Sequence, residues 1–446
     1  MAASEASNGE QSRLRASLRA LNHRNYRLFF VGQGISVIGT WMQMVATGWL
    51  VNRLTHGDAA MLGLVGFANR APSAFLTPFA GVLIDRVDKH RLILHMQAAA
   101  MLQALALAAL ALNGVIEVWH VMVLSAGLGL VAAIEVPARQ SFVVEMVANR
   151  DDLGNAIALN SSLFNGARLV GPAVAGTLIA LWGEGICFLL NGLSYLAVII
   201  ALLRMQVAPF VPPEERVSVW VGLREGVAYA YGFGPIRALL LLVAVVSLMG
   251  MPYQVLMPIY AEKVLGQGAQ GLGLLMAAGG FGAFCGALYL AQRKSVRGLG
   301  RVIPLAACVF AGGLTLLSLS RELWLSLLLM PLVAGGMMIQ MASTNTVLQT
   351  IVDDDKRGRV MSLYALAFMG TSPLGSLLAG GLASRIGVPA TFQVCAVATV
   401  VPALVFLSRL PRLRELARPI YQRKGIIPEV AAGMQSAAEA TTGLRD

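Results

Sequence analysis

Charge is what this chain has least of. Asp, Glu, Lys and Arg make up 13% of its 446 residues, where a soluble domain carries roughly a quarter. With 57% hydrophobic residues and a mean hydropathy of +0.70, a water-soluble fold is excluded. Cysteine is scarce too. Cys187, Cys285, Cys308 and Cys395 lie inside apolar runs without Cys-x-x-Cys or Cys/His spacing, which supports neither a disulfide framework nor a metal site and reads them as small buried hydrophobes. Of five histidines, only His95 and His120 fall in apolar runs. They lie on separate segments without a paired carboxylate motif, so the clustered ligands or nucleophile and base of a membrane-embedded enzyme are missing; His95 reads as a residue at headgroup level. No Gly-x-x-x-x-Gly-Lys-[Ser/Thr] is present, which argues against ATP as a direct energy source. Neither a cofactor nor a metal is expected.

What is present is long apolar sequence. About 20 such residues in a helix span a hydrocarbon core, where unpaired backbone amides are not tolerated. Runs of this kind cover 28–52, 61–84, 92–113, 118–141, 155–182 and 185–203, then 236–260, 270–292, 300–320, 323–350, 358–384 and 388–410. They predict an all-α membrane protein with twelve transmembrane helices in two sets of six. The roughly 10-residue in-out alternation of a membrane β-barrel is absent. The start of the chain is polar and basic, with no small-residue cleavage site after a short apolar core, and is expected to remain as a cytoplasmic tail.

The net charge of +11 reads as topology and not as a nucleic-acid surface. With the N-terminal tail inside, the outward loops carry only Arg53, Lys263, Arg321 and Arg385, and nearly every other base falls in a tail or an inward loop. This is the positive-inside bias, and it predicts that both termini are cytoplasmic.

The chain also contains weakly similar halves. "NAIALNSSLFNGARLVGPAVAG" and "GRVMSLYALAFMGTSPLGSLLAG" each follow an acidic loop, at Arg150–Asp152 and Asp353–Arg357, and come into register when Pro172 is set on Pro373, as parallel repeats do. The organisation expected is a tail over 1–27, a six-helix half over 28–203, a cytoplasmic linker over 204–235, a second half over 236–410 and a C-terminal tail over 411–446. Within the linker, Val217, Trp220, Val221, Val227 and Tyr231 share one face of a helix predicted to lie at the membrane surface. The C-terminal tail is basic, then small and polar, and is no signalling domain of the kind a receptor would need.

Between the second and third spans, "GVLIDRVDKHRLIL" sets Gly81, Asp85, Arg86, Lys89 and Arg91 in the order Gly-x-x-x-Asp-Arg-x-x-Lys-x-Arg. With twelve spans as two sixes and a long central loop, this resembles the major facilitator superfamily, although Asp88 stands where that motif has a second glycine. The second-half counterpart from Gly286, "GALYLAQRKSVRG", lacks the acid. "NYRLFFVGQGISVIGTWMQ" from Asn25, "NRAPSAFLTPFAGVLIDR" from Asn69 and "RGRVMSLYALAFMG" from Arg357 resemble the bacterial subgroup of enterobactin-type siderophore exporters and macrolide efflux proteins. The likeness runs over most of residues 20–410.

The resemblance implies a multi-pass protein of the bacterial cytoplasmic (inner) membrane that moves a small molecule, with Asp85 part of a cytoplasmic gate. Asp85 would meet the N-terminus of the eleventh span, near Gly358 and Arg359, in the outward-facing state. An acid at a helix N-terminus gains roughly 0.3–1 kcal/mol when exposed, a size suited to a latch that opens. The alternative is that Asp85 only marks a turn. "GPAVAG", with Gly171, Pro172 and Gly176, resembles the Gly-Pro-x-x-Gly-Gly motif of drug–proton antiporters, which favours export; generic small-residue packing is the other reading.

Ionisable residues within spans are costly and usually functional. The first half places Arg70 and Arg168 near mid-membrane, and Glu135 and Arg139 on one face of the fourth span, four residues apart. Two readings are open for that pair: proton coupling through Glu135, since desolvation favours the protonated carboxyl, or a fixed ion pair. Arg70 with Asn69, and Arg168 with Asn165, suit an anionic or carbonyl-rich cargo, or else tie helices together. Gln33, Trp41, Gln43 and Asn160 are further cavity candidates. The second half offers only neutral groups: Tyr253, Gln254, Gln340, Asn345 and Tyr364. Gln340 falls opposite Arg139 in the register above. The reading reached is a non-enzymatic secondary transporter, most simply a monomer, that exports a siderophore-like metabolite or an antibiotic in exchange for protons. Import or facilitated diffusion in the same fold is the alternative.

Overall fold

A computed structural model of the protein describes residues 18–426 apart from 85, 148, 208–218, 294 and 355. Every regular element among them is helical. In chain order these are α1 (Arg24–Leu54), α2 (Ala59–Ile84), α3 (Lys89–Leu112), α4 (Val118–Met146), α5 (Leu153–Trp182), α6 (Glu184–Leu203) and α7 (Val219–Gly232). They are followed by α8 (Gly234–Val264), α9 (Ala269–Ala291), α10 (Leu299–Leu319), α11 (Leu323–Ile351), α12 (Arg357–Ile386) and α13 (Val388–Arg423). Eleven of them are long and apolar enough to cross a membrane. The other long one, α2, has 26 residues, but Asn69 and Arg70 at its centre lower its hydropathy.

Hydropathy marks where lipid ends, not where a helix ends. The last apolar run stops at 410, yet α13 continues to Arg423 through Pro411 and Pro419. Its extension carries exposed arginines while keeping Leu410 and Ala417 buried. The predicted linker helix corresponds to α7, which lies against the start of α12, with Tyr229 donating to Asp353 Oδ2 at 2.9 Å. Val227 and Tyr231 are exposed. Val217 lies outside the described residues, as do the side chains of Trp220 and Val221.

Short loops make successive helices antiparallel, so both described ends of the chain, α7 and the acidic loops sit at one end of the bundle, the terminal face. The chain's start is pinned there to α5, because Tyr26 Oη donates to Ala156 O at 2.7 Å and His23 meets Asp152 at 3.0 Å. Within the bundle α1 packs on α5 and α6, α2 on α4, and α3 on α6, while α11 packs on α9 and α10, and α13 on α10. A buried chain of amides joins α1, α3 and α6: Asn191 donates to Gln43, and Gln43 donates to Gln103. Such bonds between helices substitute for the hydrophobic drive that lipid does not supply.

The first six helices meet the last six along two seams, α2 on α12 and α5 on α9. Both depend on missing side chains. A Cβ on Gly63 would lie 2.5 Å from Ser376 O, and one on Gly176 would lie 2.7 Å from Ala269 O and 2.9 Å from Gly273 Cα. The seams hold only toward the far face. Nearer the terminal face, the same stripes continue as Ala158, Ser161 and Ser162 on α5, Phe284 and Leu288 on α9, and Ser362, Leu366 and Met369 on α12, all exposed. The bundle is closed at the far face and parted at the terminal face.

Three π-helical turns interrupt the long helices: Val246–Gly250 and Tyr260–Val264 in α8, and Leu366–Gly370 in α12. A π turn frees backbone groups that need new partners. Ser247 Oγ supplies one by donating to Phe368 O, and Thr371 Oγ1 reaches Ala244 O at 3.3 Å. The two interrupted helices thus brace each other beside the middle of the bundle.

Candidate functional site

Where the two seams end, the helices enclose a small pocket lined by Trp41 of α1, Arg168 and Pro172 of α5, Tyr253, Gln254 and Met257 of α8, Met276 and Gly279 of α9, and Met330 of α11. Its volume is about 10 Å³, room for about one water. Local sequence explains its shape. Gly171 lets Trp41 lie against α5, since a Cβ there would be 2.6 Å from Trp41 Cβ. The π turn ending at Gly250 and the following Pro252 present Tyr253 and Gln254 on the pocket side. Arg168 stacks over the Trp41 ring, 5.6 Å from its centroid, a cation–π arrangement that holds a guanidinium in a poorly solvated place.

Arg70 lies between the halves and donates from Nη1 to Ser372 Oγ of α12 at 2.8 Å. Neither Arg70 nor Arg168 has a carboxylate partner among the described residues, in contrast to arginines such as Arg53 and Arg139. Two guanidiniums with no carboxylate partner among the described residues, one in the pocket and one at the seam, give this region positive charge. Glu135 and Arg139 pair as their spacing predicts, Nε to Oε1 at 2.8 Å, each only about one-seventh exposed. Gln97 of α3 donates to the same Oε1 at 3.2 Å, so Oε2 has no donor among the described residues.

Other candidates face into helix packing. Asn69 donates to Ser125 O at 3.4 Å and Asn165 to Ser161 O at 2.9 Å. Gln43 belongs to the amide chain, and Gln33 is buried with Oε1 unpartnered. Gln340 is fully buried and contacts Thr344, while Asn345 accepts from Gln349 at 2.8 Å. Tyr364 Oη donates to Met341 O at 3.1 Å. Gln340 and Arg139 are not among the pocket's lining residues. Sequence reasoning overlooked Met257, Met276 and Met330. A search for polar groups passes over methionine, although its flexible, polarisable side chain suits a surface that must adapt to varied shapes.

At the terminal face, Lys89 Nζ pairs with Glu145 at 2.8 Å, Arg91 lies 3.5 Å from Asp88, and Arg86 is exposed. Asp88 caps α3, accepting from Arg91 N at 3.2 Å with φ −62°. A residue in that conformation needs no glycine, so the turn forms with an acid there. Gly81 falls in the last turn of α2, and Asp85 lies outside the described residues. Arg359 starts α12 beside Gly226 of α7. At the far face, Asn52 Nδ2 of α1 donates to Glu262 Oε2 of α8, and Lys263 Nζ donates to Gly57 O at 3.0 Å. These two contacts bridge the halves where the seams close.

This helical bundle, with a pocket between its halves, belongs to a non-enzymatic membrane transporter with the major facilitator fold, as its family and relatives show. Residues 15–433 match one branch of that superfamily, and the chain belongs to the transmembrane secretion effector family. It is 26% identical to the staphyloferrin A transporter of Staphylococcus aureus over 85% of this chain and 95% of that one. It is 29% identical to the multidrug efflux pump Tap of Mycobacterium tuberculosis over 86% and 92%. Among solved structures, it resembles an inward-facing, unoccupied bacterial homologue of the human lysosomal transporter Spinster, with a TM-score of 0.64, 15% identity, and coverage of 90% and 98%.

Proposed function

We propose that the protein crosses the bacterial cytoplasmic membrane twelve times, with both termini inside, and exports a small organic molecule in exchange for protons. The spans form two halves, over 28–203 and 236–410, that rock about the central pocket. The observation that carries this reading is the pocket itself. Arg168 stacked on Trp41 faces neutral Tyr253 and Gln254 and three methionines from the other half. Such a surface suits a cargo with an anionic or carbonyl-rich end and an apolar body. A siderophore-like metabolite is the first choice of cargo and an antibiotic the second, in keeping with the kinds of transporter to which the chain is similar.

With α2 counted and the basic loops inside, the terminal face is cytoplasmic and the described state faces inward. Cargo enters between the parted stripes, and export requires the far seams to open as the terminal face closes. Asp85 and Arg359 belong to that closing gate. Glu135 carries the proton. Its Oε2 is free to take one, and protonation removes the charge that holds Arg139. Within the Gly171, Pro172 and Gly176 segment, Pro172 and Gly176 set the close approach of α5 to α9 that the far closure uses, and Gly171 sets that of α5 to α1.

The test is transport into inverted vesicles that enclose a pH dye, comparing wild type with Glu135→Gln. Cargo-dependent proton release that the substitution abolishes is the expected result. Cargo entry at the wild-type rate in both proteins, with no pH gradient and no proton signal, would instead leave a uniporter with a structural Glu135–Arg139 pair.

A further inference from the structure

A second cavity lies away from the transport pocket, inside the last six helices at the terminal face. It is enclosed by the starts of α8 and α10 and the ends of α11 and α13, and has a volume of about 540 Å³, within the range of about 300–1,000 Å³ typical of small-molecule sites. Its depth is apolar, including Ile303, Phe406 and Leu410, all buried. Its mouth is basic. Arg414 and Arg418, one turn apart on α13, and Arg297 from the α9–α10 loop all line it. None of the three has a carboxylate partner among the described residues, although Glu415 also lines the cavity.

The loop is shaped for this. Arg293 Nη2 donates to Arg297 O at 2.8 Å, and Arg297 N donates to Ser295 Oγ at 3.1 Å. Gly298, at φ +84°, then turns the chain into α10 without a side-chain cap. At the start of this 21-residue helix Leu299 N donates to Val296 O at 3.2 Å and Arg301 N to Gly298 O at 2.9 Å, so Gly300 N is the first-turn amide with no acceptor among the described residues; it opens beside three guanidiniums that have no carboxylate partner there, and a helix N-terminus favours an anionic phosphate. Gly300 keeps the entrance unfilled, since a Cβ there would already lie 3.3 Å from Leu410 Cδ1.

We infer that this cavity binds an anionic phospholipid of the cytoplasmic leaflet, its phosphate at the α10 N-terminus among Arg297, Arg414 and Arg418 and an acyl chain in the apolar depth. Basic pockets between membrane helices on the cytoplasmic side bind such headgroups. The inference rests on the inward placement of the terminal face proposed above, but it is read by lipid retention, so its failure leaves the transport assay untouched.

The experiment is native mass spectrometry of the full chain purified from vesicles of equal phosphatidylglycerol and phosphatidylcholine. Phosphatidylglycerol is expected to be retained preferentially. Each guanidinium near a membrane surface contributes roughly fivefold, so the triple variant Arg297→Gln, Arg414→Gln, Arg418→Gln should lose on the order of 100-fold in affinity. Gly300→Phe, which keeps every charge and fills the entrance, should also lose the lipid. Unchanged melting temperatures would show that both variants fold. Equal retention of the two lipids, or undiminished retention by the triple variant, overturns the inference. So does displacement by millimolar glycerol phosphate, which would mean an anion site that needs no chain. Retention that appears only after residues 427–446 are removed would assign the cavity to the protein's own tail.

Discussion

Replacing Gly176 with alanine puts a methyl group 2.7 Å from Ala269 O and 2.9 Å from Gly273 Cα, both backbone atoms that cannot swing aside. Overpacking of this kind costs about 1–3 kcal/mol. The cost falls only on the state in which α5 and α9 touch, because parting the far face removes the clash. The ratio of far-open to far-closed protein should therefore rise by roughly 5- to 150-fold. A reporter on the other seam separates this shift from local damage. Ala59 is 5% exposed at the start of α2, and its carbonyl would lie 2.6 Å from a Cβ on Gly380. In a background with the four native cysteines replaced, Ala59→Cys should react slowly with a membrane-impermeant thiol reagent. Adding Gly176→Ala should speed that reaction by a factor in the stated range. A well-expressed double variant that labels no faster would refute the reasoning, since α5 and α9 would then close without governing the opposite seam.

Removing the far-face contact by Asn52→Ala or Glu262→Gln should raise Ala59→Cys labelling in the same direction as Gly176→Ala, because Asn52 is buried and a hydrogen bond to a charged group contributes about 1.5–3 kcal/mol. Arg168→Ala is expected to raise the half-saturating concentration of an anionic cargo at least about tenfold, as loss of a charged hydrogen bond would. Trp41→Ala should act in the same direction by releasing the guanidinium. For Arg70, the comparison is with Ser372→Ala: a cargo ligand predicts that Arg70→Ala weakens uptake while Ser372→Ala does not, and a helix tie predicts equal loss in both. Ser247→Ala leaves a carbonyl of the α12 π turn without its donor at a cost of about 1–3 kcal/mol, visible as a lower melting temperature in detergent.

The sequence by itself determined the class of the protein. Scarce charge, long apolar runs and basic loops of one parity admit a helical membrane bundle and little else, because lipid leaves backbone amides no partner outside a helix. The motif from Gly81 and the stretches from Asn25, Asn69 and Arg357 led to the family. Local spacing also determined the Glu135–Arg139 pair, since residues four apart on a helix meet whatever surrounds them. What the tertiary structure decided was which polar side chains share a space. Arg168 and Asn165 are three residues apart, yet one stacks on Trp41 in the pocket and the other bonds within its own helix. That difference depends on where α1 crosses α5, and the crossing is set by Gly171. The methionines of the pocket, the π turns braced by Ser247, and the basic cavity that joins residues near 300 and 414 likewise arise from helices brought together across long separations. No pattern along a single helix encodes them, because each depends on the rotation and depth of its neighbours.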